Sequence, residues 1–145
     1  MAPVERLSDD AFVAPQPELA RFALAFEREG GAVTAVAHGS SWFAREGTTP
    51  PEPPEPDPAW WQLVGHYRGF GLWPMNVRVL VRRGRLRLYD AIEQSDDELV
   101  PLGDGRFRVG VETWRPSRIR FDTVIDGRAT RAWLDGAAFY RTFTP

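Results

Sequence analysis

The chain has 145 residues with 18 basic and 20 acidic side chains, so its formal net charge is −2. A hydrophobic share of 43%, including 12% aromatic residues, is typical of a globular protein and excludes wholesale disorder. The near-neutral charge lacks the basic excess of proteins that bind nucleic acid or anionic lipid. We therefore expect neither a nucleic-acid partner nor a membrane partner.

The residue types that are absent from the sequence exclude several kinds of chemical site. All 18 basic residues are arginine, and the chain has no cysteine, which removes disulfides, thiol nucleophiles and thiolate metal sites. The N-terminus lacks the cationic start and apolar stretch of a signal peptide, and no apolar run approaches the ~20 residues that span a bilayer. These patterns predict a soluble protein, cytoplasmic if Met1 is the natural start and otherwise of unknown location.

A proline-rich segment divides the chain at residues 47–58. Its sequence, GTTPPEPPEPDP, contains six prolines and three acidic residues. Proline fixes φ and favours extended neighbours, which predicts a stiff polyproline-like connector. A PxxP ligand for a partner domain is the alternative, but no basic residue is present to orient it. The predicted domains are a partial β-barrel repeat over 1–46, the linker, and a β-barrel over 59–145.

The segment after the linker opens with a helix signal and continues with the two-residue period of β-strands. Asp57 can cap a short helical turn that begins at Pro58. Alternating apolar and polar residues, separated by hairpin signals such as Arg83-Gly84 and Asp126-Gly127, then predict antiparallel strands. The eight predicted strands cover residues 65–70, 76–82, 85–91, 98–101, 106–110, 118–125, 128–134 and 138–143. This pattern predicts an all-β fold with an up-and-down antiparallel barrel.

The segment before the linker resembles the last part of the segment after it. Five residues align at an offset of 95, and four more align after a one-residue step. The first group matches Leu7, Asp9, Phe12, Leu24 and Phe26 with Leu102, Asp104, Phe107, Ile119 and Phe121; the second matches Gly31, Thr34, Phe43 and Arg45 with Gly127, Thr130, Phe139 and Arg141. Convergent strand composition is the alternative. Order, spacing and side-chain type all agree, so we interpret the match as an internal repeat.

This repeat makes residues 1–46 the closing part of a further copy, with about four strands. Four strands with an unpaired edge and a half-covered face are a poor independent fold. We therefore expect either that the protein continues ahead of Met1 or that these strands pack on the barrel or on a partner chain.

His38 and His66 are the only side chains that titrate near neutral pH without a perturbed environment. No nucleophile lies at a useful spacing from either one, and no HxH, HExxH or DxDxDG pattern indicates a metal site. A structural or surface role is therefore expected for both. A small lyase or isomerase that uses His66 with a nearby carboxylate is an alternative.

Acidic residues cluster in the sequence EQSDDE, which contains Glu93, Asp96, Asp97 and Glu98. Adjacent carboxylates can serve acid–base catalysis or hold calcium. Between two predicted strands, however, a solvated hairpin loop is the ordinary interpretation. We predict no metal and no cofactor.

Aromatic residues are plentiful in the barrel segment and favour a filled core over a roomy cavity. A ligand pocket at the barrel mouth is the remaining site prediction. Its predicted ligand-binding residues are Trp73, Trp114 and His66, and its ligand would be a small apolar molecule.

Five segments carry a resemblance to a known family: VGHYRGF, VRVLVRRGRLRL, LVPLGDGRFRVG, RIRFDTVIDGRATRAWL and AAFYRTF. Together they resemble the lipocalin-like β-barrel that follows serine hydrolases of the class C β-lactamase and penicillin-binding peptidase type. The resemblance covers residues 58–144, and residues 7–46 resemble the closing half of a further such barrel.

The resemblance implies an accessory role and transfers no catalytic residue. The hydrolase domain of that family uses Ser-x-x-Lys, Tyr-x-Asn and a Lys- or His-x-Gly strand. This chain has no lysine, its tyrosines lie in HYR, LYD and FYR, and neither histidine has glycine two positions later. The resemblance thus implies a non-catalytic module that shapes substrate access or subunit contacts, with a serine hydrolase domain in cis or a homo-oligomer as partner. A free-standing binder of a small apolar ligand is the alternative.

Overall fold

The computed structural model describes residues 3–71 and 74–142 and divides the chain into two compact units, one up to Pro53 and one from Pro54 onward. The first unit holds a five-stranded antiparallel sheet in sequential order, which we call the N-terminal sheet. Its strands are β1 (Glu5–Arg6), β2 (Ala11–Val13), β3 (Leu24–Glu29), β4 (Ala32–His38) and β5 (Ser41–Ala44).

The second unit is a closed eight-stranded antiparallel barrel preceded by a 3₁₀ helix, η1, over Pro58–Gln62. Each strand pairs with its neighbours in sequence, and the last strand pairs with the first. The strands are β6 (Gly65–Phe70), β7 (Pro74–Arg82), β8 (Arg85–Asp90), β9 (Ser95–Gly103), β10 (Arg106–Val109), β11 (Arg118–Ile125), β12 (Arg128–Leu134) and β13 (Ala137–Thr142). The predicted all-β fold with an up-and-down barrel is confirmed.

The helix signal before the barrel is also confirmed. The Asp57 side chain accepts a hydrogen bond from the Ala59 amide at 2.8 Å, and Pro58 occupies the first turn, where its missing N–H is not needed. The chain then turns into β6 at Leu63, which is buried in the barrel core.

Two details differ from the sequence prediction. The N-terminal sheet has five strands, because Glu5–Arg6 pairs with β2 as a short additional strand. Strand β9 begins at Ser95 instead of residue 98, because Asp96 and Glu98 lie opposite Tyr89 and Arg87 in the ladder with β8. Asp96, Asp97 and Glu98 are therefore in a strand, and the predicted solvated loop is wrong for them, whereas Glu93 lies exposed in the turn between β8 and β9.

The barrel interior is filled by side chains from every strand. The buried cluster contains aliphatic and aromatic residues with a few alanines: Leu63, Tyr67, Val77, Val79, Val81, Leu86, Leu88, Leu99, Phe107, Val109, Ile119, Ala129, Ala132 and Phe139. Phe107 and Tyr67 each pack on Phe121, with ring centroids 6.1 and 5.7 Å apart. Close packing of this kind leaves an eight-stranded barrel without a wide lumen.

The N-terminal sheet and the closing strands of the barrel share one pairing register. Each residue pair aligned at an offset of 95 or 96 has the same strand partner in both units. Examples are Arg6↔Phe12 with Pro101↔Phe107, Ala11↔Ala25 with Arg106↔Arg120, Phe26↔Val36 with Phe121↔Ala132, and Val36↔Phe43 with Ala132↔Phe139. The sheet is thus the structural counterpart of the end of β9 and of β10–β13.

The one-residue step between the two alignments has a structural cause. In the barrel, Asp122 pairs with Arg131 and Val124 pairs with Ala129, so the register is unchanged across Thr123, which has a φ of +55°. In the N-terminal sheet the counterpart residues Glu27 and Arg28 are consecutive. Glu27 and Arg28 pair with Ala35 and Val33, so the register shifts there and Thr34 is an extra residue on β4. Thr123 is thus the residue that the first copy lacks, and the N-terminal sheet accommodates its absence by this bulge.

The two units differ most on the face that points outward in the barrel. Six outward residues of β10–β12 are large, and their counterparts are small. Arg106, Arg108, Arg118, Arg120, Arg131 and Trp133 correspond to Ala11, Val13, Ala23, Ala25, Ala35 and Ala37. Of these counterparts, Ala23, Ala35 and Ala37 are buried. The strand pairing itself therefore does not require the arginines.

Candidate functional site

Of the three residues predicted to bind a ligand, Trp114 and His66 are not brought together by the fold. Trp73 lies outside the described residues. Trp114 is 75% exposed in the turn between β10 and β11, whereas His66 is on β6. Three strands separate β6 from β10 in either direction around the barrel, so His66 and Trp114 are on opposite sides.

His66 lies in a polar row on the outer face of the barrel. One ring nitrogen, Nε2, is 3.1 Å from Asn76 Oδ1 on β7, and Nδ1 is 3.0 Å from Thr142 Oγ1 on β13. Burial and the neighbouring Arg78 lower the pKa of His66, which favours the neutral ring, although the Asn76 hydrogen bond opposes this. The row orients the imidazole and joins three strands.

The acidic cluster forms ion pairs with arginines of neighbouring strands and turns. Asp96 bonds both Arg82 and Arg87 at 2.5 Å, and the Arg82 side chain is only 8% exposed. Asp97 and Glu98 contact Arg115 and Arg85, each at 3.5 Å. These contacts use the carboxylates to hold the barrel strands together. The described residues contain no group of three or more His, Cys, Asp or Glu side chains arranged to bind a metal ion.

Arg141 and Tyr67 form the main polar contact inside the barrel. The Arg141 guanidinium donates to the main-chain carbonyls of Ala129, Val64 and Gln62 at 2.5, 2.7 and 3.0 Å. It also donates to the Tyr67 hydroxyl at 2.9 Å and lies over the Tyr67 ring. Tyr67 in turn donates to the Leu63 carbonyl at 2.7 Å.

This network connects four parts of the barrel unit. It joins β13 to β12, to β6 and to the end of η1, so it fixes the helical turn against the barrel. Tyr67 is fully buried, and burial raises the pKa of its hydroxyl to about 12, although Arg141 acts in the opposite direction. The buried hydroxyl therefore stays protonated and acts as a hydrogen-bond donor.

A cleft of about 300 Å³ opens at the barrel end that lies beneath η1. Its apolar walls include Trp60, Leu63, Phe107 and Phe121, and Arg106 lies at its edge. The volume is at the lower limit for binding a small molecule. Neither Trp114 nor His66 lines this cleft.

A second feature is an arginine–tryptophan cluster on the outer face of β11 and β12. The guanidiniums of Arg120 and Arg131 each lie 5.1 Å from the centroid of the Trp133 ring. Asp122 accepts hydrogen bonds from both arginines and from the Trp133 indole. The bond from Arg131, together with smaller ones, holds the pKa of Asp122 well below its usual range. Asp122 thus fixes the cluster in one arrangement.

Arg141 and Trp60 are site residues that the sequence pattern alone does not reveal. Arg141 ends a strand with alternating polarity, where an arginine is normally solvated. One signal did exist, because Arg45 and Arg141 are among the identical residues of the repeat. Trp60 was placed correctly on the helical turn, but nothing in the sequence shows that this turn covers the barrel end.

No protein-family model, no curated protein and no solved structure matches this chain. Among the described residues, the structure contains no helix with the length and apolar character needed to cross a membrane.

Proposed function

We propose that this chain is a non-catalytic accessory module of a serine β-lactamase- or peptidase-like hydrolase, and that it works through contacts with the domain or subunit it accompanies. Its role would be to shape substrate access or subunit contacts. The observation that carries the proposal is that side chains fill the barrel interior. The polar groups there, Tyr67 and Arg141, are hydrogen-bonded to each other.

The filled core supports a scaffold role because it leaves little interior space for a substrate. Fully buried side chains such as Leu86, Leu99 and Ile119 come from different strands and occupy the lumen. Tyr67 and Arg141 satisfy each other and five main-chain contacts, so they are structural groups and are not poised for proton transfer.

The polar surface also fits a docking role. The arginines of β10 and β11 lie directly opposite one another as Arg106↔Arg120 and Arg108↔Arg118. Like charges in facing positions are unfavourable in a sheet unless they are compensated. Asp104 and Asp122 compensate Arg106 and Arg120 within the barrel, whereas Arg108 and Arg118 donate to main-chain carbonyls. A carboxylate-bearing surface on the accompanying domain would compensate Arg108 and Arg118.

Mass spectrometry of the native product in its source cells tests the proposal. A product well above the mass of these 145 residues, with a Ser-x-x-Lys hydrolase segment in the same polypeptide, is the expected result. A stable monomer with the mass of these residues alone, bound to no hydrolase, would contradict it.

The cleft beneath η1 favours a second candidate function, the binding of a small apolar ligand. A titration of the full chain with the fluorescent probe 1-anilinonaphthalene-8-sulfonate tests it. Saturable binding that is lost in Trp60→Ala and kept in Trp61→Ala would support a ligand site, because Trp60 lines the cleft while Trp61 is 56% exposed and does not. Equal binding by both variants would count against it.

A further inference from the structure

The N-terminal sheet has the register of half a barrel but lacks the other half within the described residues. Its five strands match the end of β9 and β10–β13 pair for pair. In residues 3–53, no strand corresponds to β6, β7 or β8. Strand β5 pairs only with β4 there, whereas its counterpart β13 also pairs with β6.

Some residues of the N-terminal sheet are less buried than their barrel counterparts, which face the barrel interior. Phe139 is 2% exposed, and its counterpart Phe43 is 61% exposed. Phe107 and Ile119 are buried, whereas Phe12 and Leu24 are only half-buried. Phe12 still packs edge-on against Phe26 at 5.6 Å, as Phe107 does against Phe121. The N-terminal sheet therefore keeps the ring packing of the barrel interior, but the face that carries these rings is only partly covered.

Arg45 is the most informative residue at this edge. Its counterpart Arg141 donates to the carbonyls of Gln62 and Val64 and to the Tyr67 hydroxyl, which all belong to the helical turn and to the first barrel strand. Arg45 keeps the contact within its own sheet, to the Val33 carbonyl at 3.5 Å, which corresponds to the bond from Arg141 to Ala129. The contacts to a preceding turn and strand have no counterpart among residues 3–53.

We propose that the N-terminal sheet is a docking surface for a four-stranded antiparallel β-meander of the β6–β9 type, which completes a second barrel. The first strand of this partner pairs antiparallel with β5. It places a glycine opposite Phe43 and a tyrosine opposite Arg45, as Gly69 and Tyr67 lie opposite Phe139 and Arg141. The turn before that strand presents main-chain carbonyls to Arg45.

The preference for glycine favours this partner over a second copy of the chain joined edge to edge. A Cβ at Gly69 would lie 3.1 Å from the Phe139 ring, and a Cβ at Gly65 would overlap the Arg141 guanidinium. A larger residue would therefore displace the Phe139 ring slightly or move the flexible end of Arg141, so the geometry favours small residues at both positions of a strand beside β5. The edges of the N-terminal sheet, Ser41–Ala44 and Glu5–Arg6, contain no glycine, so they do not fit one another in this way.

The test adds a second copy of η1, β6–β8 and the first part of β9 to the full chain. Residues 54–99 are placed directly before Glu5, in place of the first four residues, because Val100 and Glu5 occupy equivalent positions. Hydrogen exchange is then measured at the β5 amides, Ser41–Ala44, in the extended and unextended chains. We expect at least about tenfold slower exchange at β5 in the extended chain, which should remain a monomer in sedimentation.

Two variants of the extended chain provide the matched comparison. Arg45→Ala should lose most of the added protection at β5, whereas Arg6→Ala removes an exposed arginine that pairs with Asp9 and should keep it. In the unextended chain, Arg45→Ala should change β5 exchange little, because its recorded contact there is the single bond to Val33.

Two results would overturn the inference. One is a folded extended chain whose β5 amides exchange as fast as before. The other is an unextended chain that already forms a dimer with protected β5 amides, which would identify a second copy as the occupant. The inference rests on the proposed docking role. The native mass of the product tests that role separately, so either can fail while the other stands.

Discussion

Arg45 and Arg141 occupy the same position of the repeat, and each donates a guanidinium hydrogen bond to the equivalent main-chain carbonyl, Val33 for Arg45 and Ala129 for Arg141. In the barrel this arginine also holds the helical turn, the first strand and the Tyr67 hydroxyl. In the N-terminal sheet, Arg45 directly follows β5, which is the edge strand. The pair thus allows one side chain to be compared in a complete and an incomplete barrel.

Arg141→Ala should destabilise the barrel by about 3 kcal/mol or more, because it leaves several buried acceptors without a donor. Arg45→Ala in the same chain should change the free energy of unfolding by less than about 0.5 kcal/mol, as is usual at exposed sites. Urea unfolding of both variants measures the difference. Equal losses would show that Arg45 already has the contacts of a closed barrel.

Phe139→Ala and Phe43→Ala form a second matched pair. Phe139 is buried between β12 and β6, so its truncation should cost about 3–5 kcal/mol. Phe43 is 61% exposed, and its truncation should cost less than about 1 kcal/mol. Thermal unfolding followed by tryptophan fluorescence compares them. A large loss for Phe43→Ala would indicate that its face is covered in solution.

Stability should fall at alkaline pH because of Tyr67. Its folded-state pKa is raised to about 12, above the unfolded value of about 10, so the unfolded chain loses the proton first as pH rises. The free energy of unfolding therefore decreases between about pH 10 and pH 12. Tyr67→Phe should be less stable at pH 8 by about 1 kcal/mol but should show a shallower decrease. Urea unfolding across this range checks it, and parallel curves would contradict the assignment.

Gly84 should be more sensitive to substitution than Gly127, although both have positive φ in tight hairpins, +69° and +71°. A Cβ at Gly84 would overlap the Pro54 carbonyl oxygen, whereas a Cβ at Gly127 meets nothing within 4 Å. Gly127→Ala should cost about 1 kcal/mol from backbone strain alone. Gly84→Ala should cost clearly more and shift the Glu55 amide resonance. Equal costs in urea unfolding would exclude a contact between Pro54 and the hairpin in solution.

The strands of the barrel could be predicted because their solvent faces are strongly polar. Residues such as Arg118 and Arg120 alternate with Ile119 and Phe121, and this two-residue period is a local property of the sequence. The repeat was also detectable from this period, because the counterparts of residues that face the barrel interior keep their apolar character. The start of β9 was missed because Asp96 is stabilised by Arg82 and Arg87 from other strands, which no local pattern shows.

The site was predicted less well because it depends on packing between distant segments. An arginine at position 141 is expected to face solvent, and its burial becomes apparent only when β13 pairs with β6. The cleft beneath η1 likewise requires the turn around Trp60 to lie over the end of β10 and β11. Trp114 was predicted to line a pocket because large aromatic residues often do. It lies exposed in the turn between β10 and β11.

A single-barrel chimera tests whether residues 5–46 carry the closing half of a barrel. Residues 54–99 are joined to residues 5–46, and the cross-strand contacts of the product are measured by nuclear Overhauser effects. We expect a cooperatively folding monomer with contacts between Phe43 and Gly69 and between Arg45 and Tyr67, as in the pairing of β13 with β6. A chimera that folds without these contacts, or that forms only the sheet of residues 5–44, would contradict it.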